Sequence, residues 1–311
     1  MPKISSSTST IFEGAFSLAY SCRKRLLFSS PISSPKCFFR PFRKRNSYNF
    51  NSNIRFKEPP YLDPPQHLNR YPTGNSLFHK MERYWNLSGV SKNNGMVKNL
   101  EYYGIIKSKR VTETMETIDR ALFVPEGSPP YADFPIAIGF NATISAPHMH
   151  AMCLQLLEPH LKPGSRALDV GSGTGYLTAC FSVMVGTNGR TVGVEHIPEL
   201  VDSSLKNIEK SAAASLLKEG ALSIHVGDGR EGWKEDAPYD AIHVGAAAPE
   251  IPAALIEQLK PGGKMVIPVG NVFQDLLVVS KDENGVVSVQ SETSVRYVPL
   301  TSRDAQLVSS V

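Results

Sequence analysis

The sequence predicts an α/β fold: a Rossmann-like, doubly wound, mostly parallel sheet, preceded by a disordered basic tail. Three observations predict it. Ala167-Leu-Asp-Val170 reads as the end of a buried strand; Gly171, Gly173 and Gly175 follow it at tight-turn spacing, and Tyr176 to Val185 then shows helical apolar periodicity. Beyond this unit, strand-like and helix-like segments alternate, as a doubly wound sheet requires. Residues 1–80 differ in composition, being rich in Ser, Pro, Asn and Arg and poor in acids.

The elements follow in order. Ala151 to Leu161 is periodic and helix-like; Ser145 is placed as its N-cap and Pro147 in its first turn, where a missing N–H costs nothing. Arg190 to His196 reads as the second strand, and Pro198 to Lys218 as a helix opened by its proline. Ser223 to Asp228 is a third strand and Asp240 to Gly245 a fourth. Pro249 to Lys260 is a helix closed by the Pro261-Gly262-Gly263 turn, and Lys264 to Val269 a fifth strand. Leu276 to Ser280 and Thr293 to Val298 read as later strands.

A strand that turns through glycines into a helix gathers backbone N–H groups and a helix N-terminus at one point, which suits an adenosine-containing cofactor. Two cofactors compete. A nicotinamide or flavin site usually reads Gly-x-Gly-x-x-Gly with pyrophosphate at the helix N-terminus. Here the third glycine comes one residue early and Asp169 precedes the loop. A carboxylate is a poor neighbour for pyrophosphate but suits the cationic sulfonium of S-adenosylmethionine.

Glu195 lies 24 residues past Gly171, near the spacing of about 20 expected for a ribose-binding carboxylate. His196 packs beside the cofactor or simply begins the next loop. Asp169, Glu195 and Asp228 all fall at strand ends, where such sheets bind ligands. Asp228 and Gly229 suit the adenine edge; as a bare turn they mean nothing. Ser145 is either an ordinary cap or, at a helix N-terminus facing the pocket, part of an anion site. His148 and His150 are possible donors, but no cysteine or carboxylate cluster joins them, and no metal is expected.

At these residues the chain resembles the protein-L-isoaspartate (D-aspartate) O-methyltransferases. The resemblance spans Met81 to Leu307. It rests on Ala142-Thr-Ile-Ser-Ala-Pro-His-Met-His150, Leu168-Asp-Val-Gly-Ser-Gly-Thr-Gly175, Val194-Glu-His196, Gly227-Asp-Gly229, Tyr239-Asp-Ala-Ile-His-Val-Gly-Ala-Ala-Ala-Pro249 and Tyr297-Val-Pro-Leu-Thr301. The glycine loop is common to many methyltransferases; the first and fifth strings are more specific. The second-strand acid is Glu rather than Asp, which keeps both acceptor oxygens. The resemblance implies a class I S-adenosylmethionine-dependent methyltransferase acting on the carboxyl group of L-isoaspartyl residues, and of D-aspartyl residues as a further possibility, in damaged proteins. The ester then cyclises to a succinimide, whose hydrolysis returns some aspartate. It further implies that Ser145 contacts the substrate carboxylate, that Ala142, Thr143, Ile144 and His150 line the site, and that Asp169, Glu195, His196, Asp228, Gly229, Thr301 and Gln306 surround the cofactor.

After the fourth strand, Gly245-Ala-Ala-Ala-Pro-Glu250 offers no aromatic clamp for a flipped base. Residues 1–80 hold 13 Lys/Arg against 3 Asp/Glu, whereas the whole chain is +4, so the remainder is acidic. The basicity belongs to the tail and is no argument that the catalytic part binds nucleic acid. A Ser- and Arg-rich, acid-poor tail fits a plastid or mitochondrial address, while Arg23-Lys-Arg25 and Arg43-Lys-Arg45 fit a nuclear one; initiation at Met81 would give a cytosolic form. No run of about 18 apolar residues suggests a membrane span. The four cysteines show no zinc or disulfide spacing, and an intracellular monomer is expected. The rival readings are a nicotinamide oxidoreductase on the same sheet and a nucleic-acid binder acting through the tail.

Overall fold

The computed structural model describes residues 91–308. The readings of the basic tail, its address and the Met81 start lie outside the described residues.

Two helices, α1 (Asn93–Tyr102) and α2 (Lys109–Thr117), lead into a hairpin of β1 (Ile136–Gly139) and β2 (Ala142–Ile144). Helix α3 (Pro147–Leu157) follows, then β3 (Arg166–Val170), α4 (Tyr176–Val185), β4 (Arg190–Glu195), α5 (Pro198–Glu209), α6 (Ala214–Lys218) and β5 (Leu222–Val226). The second half comprises β6 (Tyr239–Val244), α7 (Ala253–Gln258), β7 (Leu259–Val269), β8 (Gln274–Lys281), β9 (Val287–Val295) and α8 (Arg303–Val308).

The main sheet has the order β5-β4-β3-β6-β7-β8-β9. The pairs from β5 to β7 are parallel; β8 pairs antiparallel with both β7 and β9. The expected doubly wound, mostly parallel sheet is present. Its two faces are separately buried, as the period of two demands. Leu168, Val170, Val192, Val194, Ile242 and Val244 build the core on one face. Ala167, Ala241 and Val266 face the other, beneath Leu177, Phe181 and the helices α1 to α3.

The chain winds outward from β3 through β4 to β5, then returns to β6 beside β3 and winds the opposite way. This reversal opens a crevice at the carboxyl ends of β3 and β6.

Five boundaries differ from the sequence reading. The expected helix from Pro198 to Lys218 is two helices, because the Ser211 hydroxyl takes the Ile208 carbonyl and accepts from Ala213 N, ending the first. The helix expected over Pro249 to Lys260 shrinks to Ala253–Gln258, capped by Pro252. Pro261-Gly262-Gly263 does not close it; those residues lie inside β7, where the register with β6 shifts between Tyr239 and Ala241. The last strand ends at Val295 rather than Val298, and β5 stops at Val226, short of Asp228.

Candidate functional site

The crevice is built first from backbone. Gly171 N donates to Val194 O at 2.8 Å, and Gly245 N donates to Val170 O at 2.7 Å, so both glycines continue the sheet past its side chains. Gly173 takes φ +51° and turns its N–H onto Glu195 Oε2 at 3.1 Å, while Glu195 Oε1 accepts from Ile197 N at 3.1 Å. One buried carboxylate thereby ties the glycine loop to the start of α5. Gly171, Gly173, Glu195, His196, Gly229 and Gly245 line this cleft, and Ala142, Thr143, Thr301 and Gln306 face them across it. Gly175 is the N-cap of α4, packed behind the loop against Ser204 and Ile208 of α5.

Gly229 marks a close approach. A Cβ there would stand 2.5 Å from Val170 Cγ1, in the fully buried centre of the sheet. Gly229→Ala is expected to cost about 1–3 kcal/mol of overpacking strain and to weaken nucleoside binding. Thermal unfolding and ligand titration check it, and an unchanged melting temperature would show that Val170 yields freely.

Asp169 is only 1% exposed, and its carboxylate is engaged inside the protein. Oδ2 accepts from Thr178 Oγ1 at 2.6 Å and Oδ1 meets His243 Nδ1 at 2.8 Å. Burial alone would push the His243 imidazole down, but Cys153 and the hydrogen bond to Asp169 outweigh it and raise it to about 10. Asp169 still walls a chamber with Ser145, His150, Tyr176 and His243. Asp228 does not line the cleft that Gly229 lines. It caps the following turn through Arg230 N and pairs with the Arg230 guanidinium, which lowers its pKa.

The opposite wall comes from the hairpin and α3. Helix α3 starts at Pro147 with Ala146 as N-cap, and Ser145 makes no capping bond. The cap arrives from a distance instead: Asp133 Oδ1 accepts from His148 N at 2.9 Å, and Asp133 pairs with the His148 ring. The helix N-terminus that the sequence offered as an anion site therefore already holds a carboxylate of this chain. Ser145 instead faces the hollow that Tyr297 also lines; the Tyr297 pKa is pushed well up, first by burial and then by Cys153. The Ser145 carbonyl accepts from Arg120 at 2.8 Å.

Gln306 closes the far side. His196 Nε2 meets Gln306 Oε1 at 2.9 Å, Gln306 Nε2 donates to Phe140 O at 2.8 Å, and Asn141 Nδ2 donates to Gln306 O at 2.6 Å. Phe140 and Asn141 carry φ of +52° and +56°, the mirror-type turn of a two-residue hairpin, and the C-terminal helix holds that turn in place. Sequence reasoning missed Arg120, Asp133, His243 and Tyr297. His243 and Tyr297 stood inside strings already singled out; Arg120 and Asp133 carried no local signal.

A second hollow of about 620 Å³ adjoins the chamber, lined by Asp133, Pro135, His148, Met149, Met152 and the stretch 293–298. Thr143 and Ser145 line both spaces. Among the described residues no group of three or more His, Cys, Asp and Glu could hold a metal ion, and no helix is long and apolar enough to cross a membrane.

The crevice fits a nucleoside cofactor on its own geometry. Its floor is backbone, a side chain at Gly229 or Gly245 would meet the sheet or the loop, and a carboxylate stands at the end of β4. The structure matches one from Plasmodium falciparum, a protein-L-isoaspartate O-methyltransferase in complex with S-adenosyl-L-homocysteine, with TM-score 0.63 and 37% identity over 68% of this chain and 99% of that one. A further protein-L-isoaspartate O-methyltransferase structure matches with TM-score 0.58 and 26% identity over 67% of this chain and 65% of that one. Fold and site thus define an S-adenosylmethionine-dependent methyltransferase, which sets the oxidoreductase reading aside. A family model, Protein-L-isoaspartate(D-aspartate) O-methyltransferase, matches residues 91–305. Protein-L-isoaspartate O-methyltransferase 1 of Arabidopsis thaliana is 69% identical over 73% of this chain and 99% of its own length, and the Triticum aestivum enzyme 64% over 74% and 100%. The chain belongs to the protein-L-isoaspartate(D-aspartate) O-methyltransferase family.

Proposed function

We propose that the protein methylates the α-carboxylate that an isoaspartyl linkage leaves free in damaged proteins, with the acceptor carboxylate held at Ser145. One observation carries this reading: Thr143 and Ser145 belong both to the chamber beside the glycine loop and to the open hollow lined by Met149, Met152 and 293–298. A donor on one side and a polypeptide on the other would meet there.

S-adenosylmethionine, when bound, supplies a methyl group activated on a cationic sulfonium. Glu195 would hold the ribose, Gly171 and Gly173 would let the backbone approach, and Gly229 would pass close to the base. The acceptor has a reference pKa near 4 and is ionised at neutral pH, so no general base is needed. The residues instead orient it and strip its water, an arrangement worth roughly 7–11 kcal/mol in favourable cases. Opposite charges cancel as the methyl group moves, so a water-poor chamber favours the reaction. The neighbours suit this. Asp169 and His243 compensate each other, and His150 is held neutral by burial and by the Arg120 charge.

The test is transfer of labelled methyl to an isoaspartyl peptide beside its aspartyl twin. Base-labile label on the isoaspartyl peptide alone is expected. Ser145→Ala should fold normally and lose about 10-fold in rate, the order of one hydrogen bond to a charged group. Label on neither peptide while S-adenosylhomocysteine still binds would overturn the substrate, and wild-type turnover in Ser145→Ala would overturn the role of the serine.

A further inference from the structure

Among the described residues, Arg120 alone of the lysines and arginines is buried, at 0% exposure. It opens the short helical turn that Asp119 caps, between α2 and the hairpin. A buried guanidinium is usually matched by a carboxylate, because it gives up the solvation of water. Arg120 hydrogen-bonds to none. Nε donates to Pro130 O at 2.9 Å, Nη2 donates to Ser145 O at 2.8 Å, and Nη1 stands 3.1 Å from His150 Nδ1. Its central carbon lies 5.6 Å from the centroid of the Tyr176 ring, which the His150 ring also meets at 4.9 Å. Asp133 acts on it only through space and is itself bonded to His148.

The contact with His150 has one polarity. A guanidinium has five N–H donors and no acceptor, so Nδ1 of the ring must accept and the ring proton must sit on Nε2. Burial, then the Arg120 charge, hold the imidazole well below its ordinary range. Burial also lowers Arg120, to about 10, which leaves it charged at neutral pH.

We propose that Arg120 is a positioning residue for methyl transfer: its planar fork ties the backbone of Ser145 to the ring of His150 and fixes that ring as the neutral tautomer protonated on Nε2. The proposal rests on the reading of Ser145 and His150 as walls of the transfer chamber. Its consequence is a division of charge. The His150 ring stays neutral and does not repel a sulfonium, the His243 ring on the same chamber is compensated by Asp169, and the Arg120 charge sits one layer back, where it draws in an anionic acceptor. Lysine cannot substitute, because a point charge cannot reach a serine carbonyl, a proline carbonyl and a ring nitrogen in one plane.

The experiment uses the full chain labelled with ¹⁵N-histidine, with the His150 signals identified by their loss in His150→Gln. At neutral and mildly acidic pH, wild-type His150 should show an unprotonated, hydrogen-bond-accepting Nδ1 and a protonated Nε2. Arg120→Lys and Arg120→Met should mix the tautomers. Both should lower kcat toward the isoaspartyl peptide by about 100-fold, the scale of an ångström-sized misplacement, with a smaller change in KM. A purely structural role would lower the melting temperature yet leave the tautomer and the kcat of the folded enzyme unchanged. Wild-type kcat in Arg120→Lys, or a wild-type ring protonated on Nδ1, would overturn the proposal. If both variants fail to fold, the wild-type spectrum still decides. If the wild type methylates no isoaspartyl peptide, the proposed function fails while the tautomer remains readable.

Discussion

Asp169→Ala should be among the most damaging single substitutions in the described part of the chain, at about 3–5 kcal/mol of stability, the scale for removing one partner of a buried ion pair. That is a large share of the roughly 5–15 kcal/mol that holds a typical domain together. The change strands the His243 ring and leaves the Thr178 hydroxyl without its acceptor, both deep under α4. Asp169→Asn keeps the shape and has one acceptor oxygen for His243 Nδ1, while its NH₂ faces the Thr178 hydroxyl, which can rotate to accept; it should therefore fold, but it removes the charge that helps to raise His243. The pH dependence then has a definite sign. His243 is raised in the folded state to about 10, above its ordinary value of 6.5. Its stabilising contribution is complete below about pH 6.5 and is lost progressively as pH climbs toward 10. Thermal melts from pH 6 to pH 10 should therefore fall more steeply for the wild type than for Asp169→Asn. Equal slopes would show that this pair is not the linked group.

Glu195→Ala should weaken S-adenosylhomocysteine binding by about 100-fold, since hydrogen bonds to a charged acceptor contribute about 1.5–3 kcal/mol each. Glu195→Gln should be nearly as severe, although it is isosteric. Each carboxylate oxygen already accepts a backbone N–H, from Gly173 and from Ile197. A glutamine must point its amide NH₂ at one of them, so either the loop or the start of α5 loses its anchor. Calorimetric titration of the three proteins separates these effects. A glutamine variant that binds as tightly as the wild type would mean that neither the charge of Glu195 nor its second backbone anchor contributes to holding the ribose.

Much of the scaffold was legible because its signals are local. The glycine spacing, the apolar alternation of β3, β4 and β6, and the carboxylate at the end of β4 all sit within short windows of chain. The boundaries that failed were decided by competition between neighbours. Ser211 diverts the backbone of α5, and strand pairing carries Pro261-Gly262-Gly263 into β7, although those residues read locally as a turn. The site was legible on its cofactor side and far less so on its acceptor side. Ser145 read as a cap, but the cap of α3 is Asp133, 15 residues before His148.

The sheet, the glycine loop and the strand-end carboxylate follow from local sequence, because hydrophobic period and backbone conformation are properties of consecutive residues. What each polar group near the chamber does is set by long-range contacts. Asp169 finds His243 across 74 residues, Arg120 finds His150 across 30, and His196 finds Gln306 across 110. A buried polar group must be satisfied by whatever the fold brings within about 3 Å, and no local pattern records which residue that will be.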